Sequence, residues 1–385
     1  MFLKPFAAVA AITGVLALAA LPASAGQTFD AVKAKGFVQC AVNTGLAGFS
    51  FADSQGKWTG LDVDLCKAIA AAMFGDAEKV KFTPTTAQQR FVALQSGEVD
   101  VITRNATQTL LRDTSLGFNI AGVNFYDGQG FIVPAKSGIQ STKELNGATV
   151  CVQTGTTTEL NLADYFRVNK LDYKPVVFEK ADETLTAYQA GRCDVYTTDA
   201  SGLYAQRLQL QNPDEHIVLP EIISKEPRQA YAAGRCDAYT TDASGLAAVR
   251  AGQLAGKGEH VILPERISKE PLGPIVRQGD DQWFDLVKWV LMGMIEAEEM
   301  GITSKNVDEM LKSEDPSIKR FLGITPGFGK AVGVDEKWMY NVIKQVGNYG
   351  ESYDRHVGPA TPLKLDRGQN ALWTNGGLMY AIPFR

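Results

Sequence analysis

Short strand patterns alternate with helical ones along this chain, break off, and start again, and that rhythm restricts the fold more than any other feature. Residues 36–42, "GFVQCAV", alternate into a strand, and a turn leads to "LDVDLCKAIAAAMFG" at helical spacing. "KVKFTPT" reads as a strand, "AQQRFVALQSGEVD" as a helix and "VITRN" as a strand again. After Pro134 the pattern restarts: "ATVCVQT" strand, "TTTELNLADYFRVN" helix, "KPVVFEK" strand, "ADETLTAYQAG" helix, "DVYTTD" strand. Strands that alternate with helices predict parallel sheets covered on both faces. Two such units in tandem predict a cleft between them, where small ligands bind. The long amphipathic stretch near residues 281–299 then reads as a return to the first unit. From residue 331 onward, Gly, Pro, Asn and aromatics predict an irregular tail with short helical pieces, wrapped over the body.

The first 25 residues stand outside this scheme. A basic start at Lys4, an apolar run over 6–21 and Ala23-Ser24-Ala25 before Gly26 read as a secretory signal with a small-residue cleavage site. Export to the periplasm is the expectation. A formal net charge of -5 and no Lys/Arg block argue against a nucleic-acid partner. Three scattered histidines (His216, His260, His356), with no HExxH, CxxC or GxSxG, give no foothold for a metal, a cofactor or catalysis.

One segment occurs twice. "GRCDVYTTDASGL" starts at Gly191 and "GRCDAYTTDASGL" at Gly234, differing only at Val195 against Ala238. The full units run over 187–227 and 230–271, and their differences concentrate in the helix after "DASGL". Two copies do not make a solenoid, so a tandem duplication inserted in the second unit is the simpler reading. Five cysteines fit this picture: Cys40 and Cys66 in the first unit, Cys151 with Cys193 or Cys236 in the second, and one surplus. One bridge per unit, Cys40–Cys66 and Cys151–Cys193, is the simple pairing, although spacing alone leaves connectivity open.

Five stretches carry a family resemblance: "GKWTGLDVDLCKAIA", "VDVITRNATQTLLRDTSLGF", "GATVCVQTGTTTELNL", "AGRCDVYTTDASGL" and "ISKEPLGPIVRQGDDQWFDLVKW". In this order they resemble the periplasmic binding proteins of general L-amino-acid ABC importers. The resemblance implies a two-lobed, type II periplasmic fold with a hinge, and a monomer that delivers an L-amino acid to a membrane permease. It implies these divisions: 1–25 signal peptide, 26–132 lobe one, 133–271 lobe two with the duplication, 272–330 the return to lobe one, 331–385 the tail.

The resemblance also implies a ligand set. An amino acid needs donors for its carboxylate and acceptors for its ammonium, few and directional because buried charge without partners is costly. Arg112 matches the family's carboxylate-binding arginine, whose fork suits two oxygens in one plane. Thr107 matches a hydroxyl donor to the same group, flanked by Asn105 and Thr103. On the other lobe Thr156 and Thr157 open a helix after Gly155, where free N–H groups favour an anion. The ammonium-binding carboxylate is Asp199 or its duplicate Asp242, with Asp199 preferred because the first copy keeps the full preceding helix. Asn43 matches a position that is often aspartate in relatives, which argues against a lysine or arginine specialist. Leu46 stands where many relatives stack an aromatic ring, with Phe49 and Trp58 the nearest replacements as pocket wall. Arg104 departs from the serine of several relatives and is expected to reach acidic or amide side chains such as those of Glu, Gln, Asp and Asn. The alternatives are a dehydratase acting on arogenate or prephenate on the same fold, and a sensor presenting its ligand to a membrane receptor.

Overall fold

Each strand–helix–strand run of the sequence forms one edge of a five-stranded sheet, and among the described residues there are two such sheets. The computed structural model describes residues 27–139, 141–219 and 270–385. The first sheet has the order β4 (Val80–Pro84), β1 (Val38–Val42), β5 (Val101–Ile102), β14 (Ile275–Arg277), β6 (Phe118–Ile120). The second has β10 (Tyr173–Phe178), β9 (Ala148–Gln153), β11 (Val195–Asp199), β8 (Gln129–Pro134), β12 (His216–Val218). In each sheet the three strands read from the alternation pair in parallel. β14 and β8 run antiparallel to both of their neighbours, which leaves β6 and β12 in the sense of the other three, so the sheets are mixed rather than wholly parallel. The reason is connectivity: β8 and β14 are the strands by which the chain enters a lobe from the other one, and they arrive in the opposite sense.

Local chemistry explains why the parallel units form where they do. The β1 strand is buried along most of its length, as an apolar run covered on both faces should be. Helix α2 (Leu61–Phe74) is Ala-rich, buried almost all round, and ends at Gly75 in the left-handed region, φ 70°. The long returning helix Asp281–Glu299 is capped by Asp280, whose Oδ1 accepts from Trp283 N at 2.9 Å. The other Asp280 oxygen accepts from Thr28 N and Phe29 N, at 2.6 and 2.8 Å, which ties down the helix Gln27–Lys35.

Two strands join the lobes. β7 (Phe125–Asp127) pairs antiparallel with β13 (Glu270–Leu272), with Asp127 opposite Glu270. The tail grips this connection from the lobe-one side. Asn370 accepts from Tyr126 N at 2.7 Å and donates to Tyr126 O at 3.0 Å, as a neighbouring strand would. Tyr349 donates to Asn124 O at 2.9 Å, and Tyr353 stacks on Phe125 with centroids 6.0 Å apart. The tail therefore holds two short helices, Trp338–Gln345 and Tyr349–His356, whose aromatic faces complete the lobe-one core.

Cys40 pairs with Cys66 across β1 and α2, Cα atoms 6.5 Å apart, and Cys151 pairs with Cys193, Cα atoms 5.7 Å apart. The strand between β9 and β8 thus comes from the first copy of the duplicated segment. The strand expected in the second copy, with Asp242, Cys236 and His260, lies outside the described residues, as do the first 25 residues that read as a secretory signal.

Candidate functional site

Strands β1 and β5 end side by side, and the residues just past them build the lobe-one wall of the cleft. Asn43 follows β1 and is 2% exposed; its Nδ2 donates to Asn105 Oδ1 at 3.1 Å. Asn105 in turn donates from its backbone N to Asp62 Oδ2 and from its Nδ2 to Asp199 Oδ2, both at 3.3 Å. The second of these bonds crosses from one lobe to the other. Arg104 donates from Nε to Thr85 O at 3.0 Å, and Arg90 donates from Nη1 to Arg104 O at 3.1 Å.

The lobe-two wall is a helix start and a strand end. Thr156 caps α5 (Thr157–Val168), accepting from Glu159 N at 3.1 Å while donating to Gln153 O at 2.7 Å. Thr157 therefore occupies the first helical position, and its Oγ1 lies 3.2 Å from Thr107 Oγ1 of lobe one. Gly155 lets the lobes approach this closely. Its φ is +73°, and a Cβ there would stand 2.3 Å from Gln88 Cγ of lobe one. Asp199 ends β11, 7% exposed, with Oδ1 buried and without a hydrogen-bond partner.

Between the walls lies a cavity lined by Arg90, Arg104, Asn105 and Thr107 from lobe one and by Gln153, Thr156–Thr158, Thr198 and Asp199 from lobe two. Its volume is about 20 Å³, enough for about one water. An amino acid enters only when the lobes part. Three buried atoms of the lining residues have no partner: Arg90 Nε, Arg104 Nη2 and Asp199 Oδ1. The cleft thus offers unsatisfied donors and an unsatisfied acceptor, the complement of a zwitterion.

Burial dominates the electrostatics. It pushes Asp62 up to about 7, Asp127 up to about 6, and Asp199 well above the usual carboxylate range, where Asp127 and Glu270 add repulsion. Burial lowers Arg104 to about 10 and Arg90 well below its ordinary value, with mutual repulsion of Arg90, Arg104 and Arg112 adding to it. A carboxyl that holds its proton more tightly folded than unfolded stabilises the fold as pH falls. The folded state takes up these protons around neutrality, whereas the unfolded chain waits until about pH 4. His216 works in the opposite sense, since burial lowers its pKa. Among the described residues burial raises four carboxyls, Glu296 being the fourth, against one lowered histidine, so the ligand-free protein is expected to melt higher at pH 6 than at pH 8. Asp62→Asn should remove part of that difference, and a melting temperature that drops from pH 8 to pH 6 would contradict the assignment.

The remaining expected site residues sit further back. Arg112 does not line the cavity; it donates from Nη1 to Thr107 O at 2.7 Å and lies over the Phe91 ring, facing Glu270 and Asp199. Leu46 and Phe49 belong to the lobe-one core, Phe49 edge-on to Phe125 at 5.2 Å. Trp58 packs on Phe82, 5.8 Å between ring centroids. Thr103 is buried beside Arg104, its Oγ1 without a partner. Three charged residues of the cleft were missing from the sequence reading. Arg90 has a signal: in α3 (Gln89–Ser96) it shares the buried face with Ala93 and Leu94, at i+3 and i+4. Asp62 lies in a helix with no polar face to mark it, and Glu270 lies in a three-residue strand.

The family model for bacterial extracellular solute-binding proteins, family 3, matches residues 38–306. The chain is 54% identical over 373 residues to the general L-amino acid-binding periplasmic protein AapJ of Rhizobium johnstonii, covering 96% of each chain. It is 47% identical over 378 residues to the glutamate/glutamine/aspartate/asparagine-binding protein BztA of Rhodobacter capsulatus, covering 97% of this chain and 99% of that one. Among solved structures, an ABC transporter periplasmic binding protein from Brucella ovis with glutathione bound superimposes with a TM-score of 0.80. That match has 51% identity and covers 93% of this chain and 99% of the other.

Proposed function

We propose, for a chain that belongs to the bacterial extracellular solute-binding proteins of family 3, that it is the periplasmic substrate-binding component of an ABC amino-acid importer. It captures free L-amino acids by lobe closure and delivers them to a membrane permease. The observation that carries this reading is the cleft itself: donors and an acceptor from both lobes, buried and unpartnered, around one small cavity.

The roles follow from the chemistry. Asp199, with Asn43 and Asn105 behind it, receives the ammonium, since Oδ1 lacks a partner and Oδ2 is held by Asn105. The carboxylate meets the Thr107 and Thr157 hydroxyls and the first turn of α5, with the Arg112 guanidinium behind Thr107 supplying charge. Arg104, with Nη2 free, faces the ligand's side chain and favours acidic or amide groups. The α-amino and α-carboxylate groups so held are common to Glu, Gln, Asp and Asn. They also occur on the γ-glutamyl end of glutathione, the molecule bound by the Brucella ovis relative.

Closure needs the two joining strands to bend while each lobe moves as a body. The dehydratase alternative needs an acid or base in addition to the ammonium partner. The binding reading is preferred because the relatives are amino-acid-binding transport components.

A thermal-shift screen of the twenty L-amino acids, glutathione and prephenate tests this. The proposal expects Glu, Gln, Asp and Asn to raise the melting temperature most and prephenate to remain unconverted. Turnover of prephenate, or no shift with any amino acid, would refute it.

A further inference from the structure

Resting on the importer reading, in which the lobes close on a ligand, we infer that the C-terminal tail is a strap: it confines the closing motion to one level of the joining strands and so raises affinity for every ligand alike.

What holds each joining residue locates that level. On the outgoing strand β7, lobe one and the tail hold everything up to Tyr126. Tyr349 donates to Asn124 O, Tyr353 stacks on Phe125, and Asn370 takes both polar groups of the Tyr126 backbone. Lobe two takes over at the next residue, where Asp127 Oδ2 accepts from Ser201 Oγ and Gly128 O accepts from Ala200 N at 2.7 Å. On the returning strand β13, lobe two holds Glu270, whose carboxylate accepts from Asn161 Nδ2 at 2.8 Å and from Thr157 Oγ1 at 3.3 Å. Lobe one takes over at Pro271 and Leu272, whose carbonyls accept from Gln108 N at 2.8 Å and Asn124 N at 2.7 Å. Tyr126 pairs with Pro271 and Asp127 with Glu270, so both handovers fall at the same level of the ladder.

Proline has no N–H to give across a ladder, and its ring fixes its own φ and restricts the residue before it. The Tyr126–Pro271 pair therefore exchanges no hydrogen bond between the strands, and the N–H and C=O of Tyr126 point outward, to Asn370. Without Asn370, Tyr126 would be free to turn with lobe two. Asn370 is 4% exposed and is itself anchored. Arg367 donates from Nε to Asn370 O at 2.9 Å and from Nη2 to Glu298, on the long returning helix, at 3.0 Å. Its guanidinium also lies over the Tyr349 and Tyr353 rings.

All these tail contacts lie within lobe one and its end of the joining strands, so opening the lobes leaves them intact. The strap removes conformations from the open form that the ligand would otherwise have to order on closing. Its effect is common to all ligands because the cavity lining includes neither Tyr126, Arg367 nor Asn370.

The test compares Asn370→Ala with the wild type. Both are titrated with L-glutamate and with L-glutamine, and small-angle scattering records both with and without L-glutamate. The strap predicts an affinity loss of about three- to tenfold, equal for the two ligands, and a larger radius of gyration for the ligand-free variant alone. Should the variant not fold, hydrogen exchange of the wild type decides, with the Tyr126 amide expected to stay protected in ligand-free and ligand-bound protein alike. Unchanged affinity or an unchanged radius of gyration in folded variant, a loss confined to one ligand, or a Tyr126 amide that exchanges freely without ligand overturns the strap. A wild type that binds no amino acid refutes the importer reading instead, and the scattering and exchange results still judge the strap.

Discussion

Asp199→Ala is expected to lower affinity for every L-amino acid about a hundredfold or more, while Asp242→Ala changes it less than about threefold. Removing one partner of a buried, hydrogen-bonded charge pair costs about 3–5 kcal/mol, because the other charge stays behind without compensation. Asp199 fits that description. It ends β11 inside the second sheet, its Oδ2 is tied to Asn105 across the cleft, and its Oδ1 is buried and free. The loss should be common to all ligands, since every amino acid carries the ammonium. Arg104, in the proposed reading, acts instead on the choice among side chains. Equilibrium titration of both aspartate variants with L-glutamate decides the matter. Loss in Asp242→Ala alone would transfer the site to the second copy of the duplicated segment.

Breaking the Cys151–Cys193 bridge by Cys193→Ser is expected to lower stability by about 2–4 kcal/mol in urea melts of the ligand-free protein. The bridge spans 42 residues of sequence, and cross-linking a loop of that length removes conformational freedom from the unfolded chain. Both cysteines are buried in the lobe-two core, with Tyr188, Tyr196 and Leu185 around them. The variant leaves Cys151 unpaired with a surplus thiol, Cys236, elsewhere in the chain. A nonreducing peptide map of the wild type should show Cys40–Cys66 and Cys151–Cys193. A Cys151–Cys236 link would mean that the second copy fills the slot between β9 and β8.

The parts of this molecule that were legible in the sequence are those with a repeating signal. The runs that became β1, α2, β4, α3 and β5, and then β9, α5, β10, the helix Ala181–Gln189 and β11, alternate at periods of 2 and 3.6 and bury what those periods place inside. The joining strands Phe125–Asp127 and Glu270–Leu272 escaped notice because three residues carry no period. The antiparallel sense of β8 and β14 was hidden for a different reason: it follows from how the chain crosses between lobes, which no local pattern encodes.

Charged residues in the cleft divide in the same way. Asp199 ends β11 and Arg104 follows two residues after β5, where a sequence pattern places them, and both prove buried. Arg90 drew no reading of its own in the sequence, although its spacing to Ala93 and Leu94 sets it on the buried face of α3. Arg112 reads as a direct carboxylate ligand, and the structure sets its guanidinium next to the cavity, donating from Nη1 to the carbonyl of the lining residue Thr107. The tail offered no chemical role in sequence, and its grip on Tyr126 through Asn370 depends on a contact between residues 244 positions apart.

The central claim is one amino-acid site per chain despite the duplicated strand, and calorimetric titration of the ligand-free protein with L-glutamate tests it most directly. The account predicts a single site per chain, with D-glutamate giving no saturable heat. Two sites per chain, or no binding of any L-amino acid, would contradict it.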